Sequence, residues 1–147
     1  MVPYMKPTLL IAEGDPEFSE FLQHFLSERG YDVQAASDGL DCLAKLRRAT
    51  PAAVVLDLEL LWGGGDGVLS WLREERTATG LPVILTAMAG ANRDAIENVG
   101  PPVVRFLAKP FSLTTLLESV RAAVPDRRYQ GQLGWNSVGP CSEIYIG

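Results

Sequence analysis

The sequence predicts an α/β domain in which one parallel five-stranded sheet is covered by helices on both faces. Strand-like and helix-like segments alternate five times along the chain, which is typical of parallel strands joined by crossover helices. Several strand-like segments are continuous apolar runs, as expected for strands buried on both faces. Right-handed crossovers between such strands give a doubly wound sheet. The 147 residues suffice for one domain with a substantial core.

The first βα unit begins with the apolar run Thr8–Ala12, which is predicted to be a buried strand. Asp15 followed by Pro16 predicts a helix start, because Asp is a favoured N-cap and Pro is favoured at the first helical position. Gly30 predicts the end of that helix. Its apolar face is predicted from residues at helical spacing: Phe18, Phe21, Leu22, Phe25 and Leu26.

The second unit consists of a short alternating strand at Tyr31–Ala35 and a helix that ends near Thr50. Cys42 is predicted to be a half-buried residue of this helix. The buried face of the helix is predicted to contain the leucines at positions Leu40, Leu43 and Leu46.

The third unit is built on Ala53–Asp57, an apolar run that leads directly into one aspartate. A loop of glycines, Gly63–Gly67, is predicted to follow. The third helix is predicted to bury Val68, Leu69 and Leu72 and to end before Pro82. The aspartate is therefore expected at the carboxyl edge of the sheet, where ligands bind in open α/β folds.

The fourth and fifth units complete the sheet with strands at Pro82–Ala87 and Val103–Lys109. Gly90–Val99 is predicted to be a helix with few residues to bury. Ser112 is predicted to cap the last helix. The apolar face of that helix is predicted to contain Leu113, Leu116, Leu117 and Val120.

The ends of the chain differ from this pattern. Residues 1–6 are predicted to be an N-terminal extension, with Met5 an alternative start to Met1, and residues 7–124 form the predicted domain. Residues 125–147 are rich in Gly, Pro and Gln and are predicted to be a C-terminal tail. Two alternatives are open for this tail: a disordered end, or an ordered segment that packs Trp135 or Ile144 on the domain or on a neighbour.

Composition excludes several classes of function. The formal net charge of −5 argues against a nucleic-acid-binding surface. No apolar run approaches the length of a membrane span, no signal peptide is visible, and the two cysteines form no framework, so a cytoplasmic protein is expected. The glycines at 63–65 lack the Lys-Ser/Thr pair that a nucleotide-binding P-loop requires.

Four predicted strands end in polar side chains that carry chemistry. Glu13 follows the first strand, Asp57 ends the third, Thr86 lies in the fourth and Lys109 ends the fifth. Because parallel strands end at the same edge of a sheet, these groups are expected to converge. A carboxylate can act as a nucleophile in phosphoryl transfer, which depends mainly on positioning and on neutralisation of charge by a lysine and a divalent metal ion.

These residues make the chain resemble the receiver domain of two-component response regulators over about residues 7–124. The matching pieces are Glu13-Gly14-Asp15-Pro16, Asp57 after Val54-Val55-Leu56, Asp66-Gly67, Thr86-Ala87, Phe106 and Lys109-Pro110-Phe111. The resemblance implies a flavodoxin-like fold with strand order 2-1-3-4-5. It also implies a signalling protein rather than an enzyme, with at most self-catalysed phosphotransfer and autodephosphorylation.

The resemblance assigns roles to individual residues. Asp57 would accept a phosphoryl group from a sensor histidine kinase or phosphotransfer protein, and Thr86 and Lys109 would hold that group. Phe106 would move with Thr86 as a switch that signals to a downstream target. Mg²⁺ would be bound by Glu13, Asp57 and the backbone carbonyl of Glu59. The Lys109–Pro110 peptide bond would be cis, and the resemblance also implies a homodimer through the fourth and fifth βα units.

One position departs from the family pattern. The first strand of the family usually ends in two acidic residues, and here Gly14 occupies the place of the acid that ligates the metal directly. Mg²⁺ binding should therefore be weakened. Asp15 is expected to cap the first helix, so the side chain of Glu59 is the hypothetical replacement ligand.

Two functions remain open at this point. The first is a single-domain response regulator that is phosphorylated on Asp57 and signals by a conformational shift. The alternative is a pseudo-receiver, a protein-interaction module whose magnesium and phosphate chemistry is impaired by Gly14. The intact Asp57, Thr86 and Lys109 favour the first.

Overall fold

The structure is a computed structural model that describes residues 5–62, 64–75, 80–90, 100–125 and 145–146. Its main sheet has five parallel strands in the order β2-β1-β3-β4-β5, which confirms the predicted doubly wound architecture. The elements are β1 Thr8–Ala12, α1 Pro16–Ser27, β2 Asp32–Ala36, α2 Gly39–Arg48, β3 Ala53–Asp57, α3 Gly64–Glu74, β4 Val83–Met88, β5 Val103–Lys109, β6 Phe111–Ser112, α4 Leu113–Ala123 and β7 Tyr145–Ile146.

The sheet separates two apolar cores. Alternate residues of the central strands face opposite sides: Leu10 and Val54 pack with α2 and α3, whereas Leu9 and Val55 pack with α1 and α4. All five residues of β3 are buried, as its continuous apolar sequence predicts. Helices therefore cover both faces and leave the ends of the strands as the accessible parts of the sheet. No helix in the described parts of the chain is both long and apolar enough to cross a bilayer.

The helix caps follow the predictions from local sequence. The carboxylate of Asp15 accepts hydrogen bonds from the backbone N–H groups of Glu17 and Phe18, at 3.0 and 3.3 Å, and Pro16 is the first residue of α1. The hydroxyl of Ser112 accepts a hydrogen bond from the N–H of Thr115 at the start of α4. The peptide bond between Lys109 and Pro110 is cis, as the resemblance implies.

The predicted faces of α1 and α2 are wrong at three residues. Phe21 and Leu40 are exposed, whereas Cys42 is fully buried rather than half-buried. In both helices the buried positions lie three and four residues apart and begin at a small residue, Ser19 in α1 and Gly39 in α2. A prediction based on large apolar residues misses such small residues. It therefore places the centre of the buried helix face about one residue from its observed position.

The predicted glycine loop before α3 is also wrong, because the helix begins within it at Gly64. Gly65 packs against the loop that follows β3, and a Cβ at this position would lie 2.6 Å from the Cα of Leu58 and 2.9 Å from the carbonyl oxygen of Asp57. The N–H of Gly65 also donates to the carbonyl of Leu58, at 3.2 Å. A glycine here allows α3 to lie directly against the loop that holds Asp57.

We expect Gly65→Ala to destabilise the protein by about 1–3 kcal/mol, because the added methyl must push helix and loop apart. Gly67→Ala is the matched control in the same helix, since a Cβ there meets nothing within 4 Å. That control should stabilise the fold by roughly 0.5–1 kcal/mol through helix propensity. Urea unfolding of both variants measures the difference, and equal midpoints would contradict the close packing at Gly65.

Two predicted segments fall largely outside the described residues. The helix expected at Gly90–Val99 cannot be compared beyond Gly90, and Trp135 and Ile144 of the tail also lie outside the described ranges. Within residues 125–147, Tyr145–Ile146 forms β7, which pairs antiparallel with β6 at Phe111–Ser112.

Candidate functional site

The structure brings the four predicted strand-end residues to one edge of the sheet. Asp57 at the end of β3 is in register with Thr86 of β4, and Lys109 ends β5. Glu13 directly follows β1, and its N–H donates to the carbonyl of Ala36. All four are buried, with exposed fractions of 4% for Glu13, 5% for Asp57, 2% for Thr86 and 8% for Lys109. Buried polar side chains grouped at the carboxyl edge are typical of a functional site.

The ammonium group of Lys109 joins the two carboxylates. Its Nζ donates to Oε2 of Glu13 at 2.9 Å and to Oδ2 of Asp57 at 3.4 Å. The three side chains together carry one net negative charge when both carboxylates are ionised. The lysine therefore lowers the repulsion between two acids that belong to different strands.

The protonation of this triad follows from burial and pairing. Burial raises the pKa of Glu13 above its usual value, against the lowering effect of its hydrogen bond to Lys109. Burial alone would lower the pKa of Lys109, but the hydrogen bond and charge of Glu13, with a contribution from Asp57, raise it above its usual value. Lys109 is therefore a cation at neutral pH.

The carboxylate of Asp57 is oriented by its own loop. Its Oδ1 accepts a hydrogen bond from the N–H of Glu59 at 3.0 Å, while Oδ2 faces Lys109. The N–H of Leu58 donates to the carbonyl of Thr86 at 2.9 Å, which fixes the start of the loop to β4. A carboxylate held at both oxygens is prepared for a reaction that depends on positioning.

Fewer carboxylate side chains are available to bind a metal ion in the structure than the sequence suggests. Asp15 is occupied as the cap of α1, and Oε1 of Glu59 accepts a hydrogen bond from the N–H of Met88 at 3.1 Å. The hypothesis that the Glu59 carboxylate replaces the ligand missing at Gly14 gains no support from this geometry. Across the described ranges, no three His, Cys, Asp or Glu side chains come together as a candidate metal site.

The remaining donors still fit Mg²⁺, which binds one or two carboxylates and keeps several waters. The carboxylates of Glu13 and Asp57 share the ammonium group of Lys109, and Oε1 of Glu13 also accepts a hydrogen bond from the N–H of Asp15 at 3.0 Å. Each carboxylate oxygen has a second lone pair that a metal ion could use. The groups that could hold such an ion are these two carboxylates and, as the resemblance implies, the carbonyl of Glu59.

One aromatic side chain lies beside the site, and the predicted switch residue packs elsewhere on the domain. Phe106, the predicted switch, is half-buried and packs against the core on the side of α2 and α3. Phe18 was not predicted as a site residue, yet its ring centroid lies 5.2 Å from Nζ of Lys109 and 5.8 Å from that of Phe111. The sequence signal for Phe18 was its position in the first turn of α1, at the carboxyl edge, where a ring can reach the site.

Comparisons with known proteins give matches over most of the chain. Residues 9–121 match the family model of the response regulator receiver domain. The chain is 33% identical over 116 residues to the DNA-binding dual master transcriptional regulator RpaA of Synechocystis, covering 79% of this chain and 48% of that protein. It is 30% identical over 121 residues to the protein Rrf1 of Nitratidesulfovibrio vulgaris, covering 82% of this chain and 84% of Rrf1. The chain thus spans about half the length of the regulator RpaA.

Solved structures show the same architecture. A putative response regulator from Chloroflexus aurantiacus superposes with a TM-score of 0.75 at 25% identity, covering 83% of this chain and all of that one. A sensor protein from Polaromonas superposes with a TM-score of 0.72 at 28% identity, covering 80% of this chain and 95% of that one.

Proposed function

The chain belongs to the response regulator receiver domain family, which acts in two-component signal transduction, and we propose that it accepts a phosphoryl group on Asp57. The donor in this proposal is the phosphohistidine of a sensor histidine kinase or of a phosphotransfer protein. The domain that carries the reaction comprises residues 7–124.

The observation that carries the proposal is the position of Lys109 between Glu13 and Asp57, at 2.9 and 3.4 Å. Taking charges out of water is costly, and a structural role would be served more cheaply by apolar residues. A buried cation beside a fixed carboxylate is suited to a reaction in which negative charge increases at that carboxylate. Phosphoryl transfer to Asp57 is such a reaction.

The proposed reaction needs little from the protein beyond position and charge. An oxygen of Asp57 attacks phosphorus, the phosphorus–nitrogen bond of the donor breaks, and its electron pair remains on the imidazole. The product is an acyl phosphate on Asp57, which Lys109 neutralises through Nζ while the Thr86 hydroxyl donates to a phosphoryl oxygen. Mg²⁺, which receiver domains generally bind, would add charge neutralisation when held by Glu13, Asp57 and the Glu59 carbonyl.

The signal in this proposal is a population shift of the surface near Thr86 and Phe106. Thr86 would follow the phosphoryl group, and Phe106, which is only half-buried, has room to change its packing. The readers of the shift are a downstream target protein or a second copy bound through the fourth and fifth βα units. Because the relative RpaA is a DNA-binding regulator, an effect on transcription through such a partner is one proposed output.

The test is incubation with acetyl phosphate and Mg²⁺ followed by intact-mass measurement. We expect wild type to gain the mass of one phosphoryl group and Asp57→Asn to gain none. Asp32→Asn, an exposed aspartate at the opposite end of the sheet, is the matched control and should behave as wild type. Absence of any gain in wild type at high Mg²⁺ would instead favour the pseudo-receiver, in which Gly14 has removed the chemistry.

A further inference from the structure

Three large apolar side chains at the carboxyl edge are exposed together. Leu40 in the first turn of α2 is 62% exposed, and Leu61 and Trp62 in the loop between β3 and α3 are 71% and 70% exposed. The two segments touch, because the N–H of Gly39 donates to the carbonyl of Leu61 at 2.9 Å. We call these three residues the apolar edge patch. Grouped exposed apolar side chains mark interaction surfaces more often than scattered ones do.

The backbone at Trp62 gives a second, independent sign of function. Its φ is 53°, the left-handed region that residues other than glycine rarely adopt. This conformation costs roughly 1–2 kcal/mol, and a side chain that stays largely in water offsets little of that cost. Backbone strain of this kind is concentrated at functional sites. The fold therefore presents the indole to solvent at some expense to its own stability.

The charge around the patch identifies the chemistry of its partner. Residues 37–44 and 58–70 contain four acids, Asp38, Asp41, Glu59 and Asp66, and no Lys or Arg. Lys45, the nearest basic residue along α2, pairs with Asp41 at 3.1 Å and neutralises that one acid, so the excess of negative charge rests on the other three. Nucleic acids, anionic bilayers and a second copy of this patch would all be repelled by such a rim. The complementary partner is a protein surface with apolar anchors and surrounding Lys or Arg side chains.

The location of the patch indicates which kind of protein binds to it. Leu61 is four residues beyond Asp57, and only 5% of Asp57 is exposed, so a donor must cover this edge to reach the carboxylate. We propose that the apolar edge patch docks the protein that delivers the phosphoryl group to Asp57, with Trp62 as the main anchor. The inference rests on the proposed function. Trp is one of the residue types that most often dominate the binding energy of an interface, and its surrounding contacts serve mainly to exclude water.

The test separates a protein donor from a small one. Purified cytoplasmic regions of the source organism's histidine kinases are autophosphorylated, each is incubated with the full chain, and the fastest donor is used for kinetics. Trp62→Gly is the principal variant, because glycine accepts φ of 53° and should keep or raise the melting temperature. We expect its kcat/KM with the kinase to fall about tenfold or more, with an unchanged rate from acetyl phosphate.

Two further variants sharpen the result. Leu61→Ala should slow transfer from the kinase, whereas Val104→Ala should not, since Val104 is 58% exposed near the amino end of β5. Equal kinase rates for Trp62→Gly, Leu61→Ala and wild type would overturn the inference. So would a chain that reacts with acetyl phosphate but with none of the kinases. A wild-type chain that does not react with acetyl phosphate contradicts the proposed function itself.

Discussion

Lys109→Met is expected to destabilise the fold by about 3–5 kcal/mol, because it leaves two buried carboxylates without their cation. Glu13 and Asp57 are 4% and 5% exposed, so water has little access to either carboxylate in the folded chain and compensates poorly for the loss of the ammonium group. Methionine keeps the length and most of the packing of the lysine stem, which confines the change to the charge. Urea unfolding at pH 7, monitored by tryptophan fluorescence, measures the effect, and the same variant should lose reaction with acetyl phosphate.

The pH dependence of this loss distinguishes charge from packing. Burial raises the folded-state pKa of Glu13 above its ordinary value of 4.5, so the folded state binds this proton more tightly than the unfolded chain. Ionisation of buried Glu13 lowers the free energy of unfolding. This loss is absent at pH values below the pKa of Glu13 in the unfolded chain and complete above its pKa in the folded state. Removal of Lys109 makes the loss larger. The destabilisation by Lys109→Met should therefore shrink as the pH falls towards 4.5.

A triple variant is the complementary control. Adding Glu13→Gln and Asp57→Asn to Lys109→Met removes both charges and should restore most of the lost stability. If the loss of stability in Lys109→Met is the same at pH 7 and near pH 4.5 and persists in the triple variant, the packing of the lysine stem, and not its charge, stabilises this edge of the sheet.

The sequence was sufficient for the fold and for the residues of the edge because both depend on local patterns. Continuous apolar runs identify strands buried on both faces, and the residue that ends such a run must lie at the edge of the sheet. The positions of Asp57 and Lys109 at the edge therefore follow from the sequence without any knowledge of their distance. The cap at Asp15 was equally local, since it needs only the next three residues.

The parts that could not be predicted depend on contacts between distant segments. The side chain of Glu59 is occupied by the N–H of Met88, 29 residues away, which no pattern around Glu59 reveals. Gly65 is needed because α3 lies against the loop after β3, and Phe18 adjoins Lys109 because the first turn of α1 lies beside the end of β5. The small residues that begin the buried stripes of α1 and α2 carry no apolar signal at all.

Gly14→Asp is expected to raise the affinity for Mg²⁺ by about tenfold or more, because ligand charge is a main determinant of affinity at such sites. The backbone permits the change: φ at Gly14 is not positive, and a Cβ there would meet only the carbonyl oxygen of Ser37, at 3.9 Å. That distance is ordinary van der Waals contact. The fold therefore has room for a carboxylate side chain at position 14, and crowding does not account for the glycine there.

The measurement is a calorimetric Mg²⁺ titration of the unphosphorylated protein, which does not depend on phosphotransfer. Gly14→Ala adds the Cβ without the charge and should bind as wild type does. Glu59→Gln should also change little, because its side chain is directed to Met88 rather than to Asp57. If Glu59→Gln weakened binding while Gly14→Asp left it unchanged, the Glu59 carboxylate would be the replacement ligand, and the assignment of the ion to Glu13 and Asp57 would be wrong.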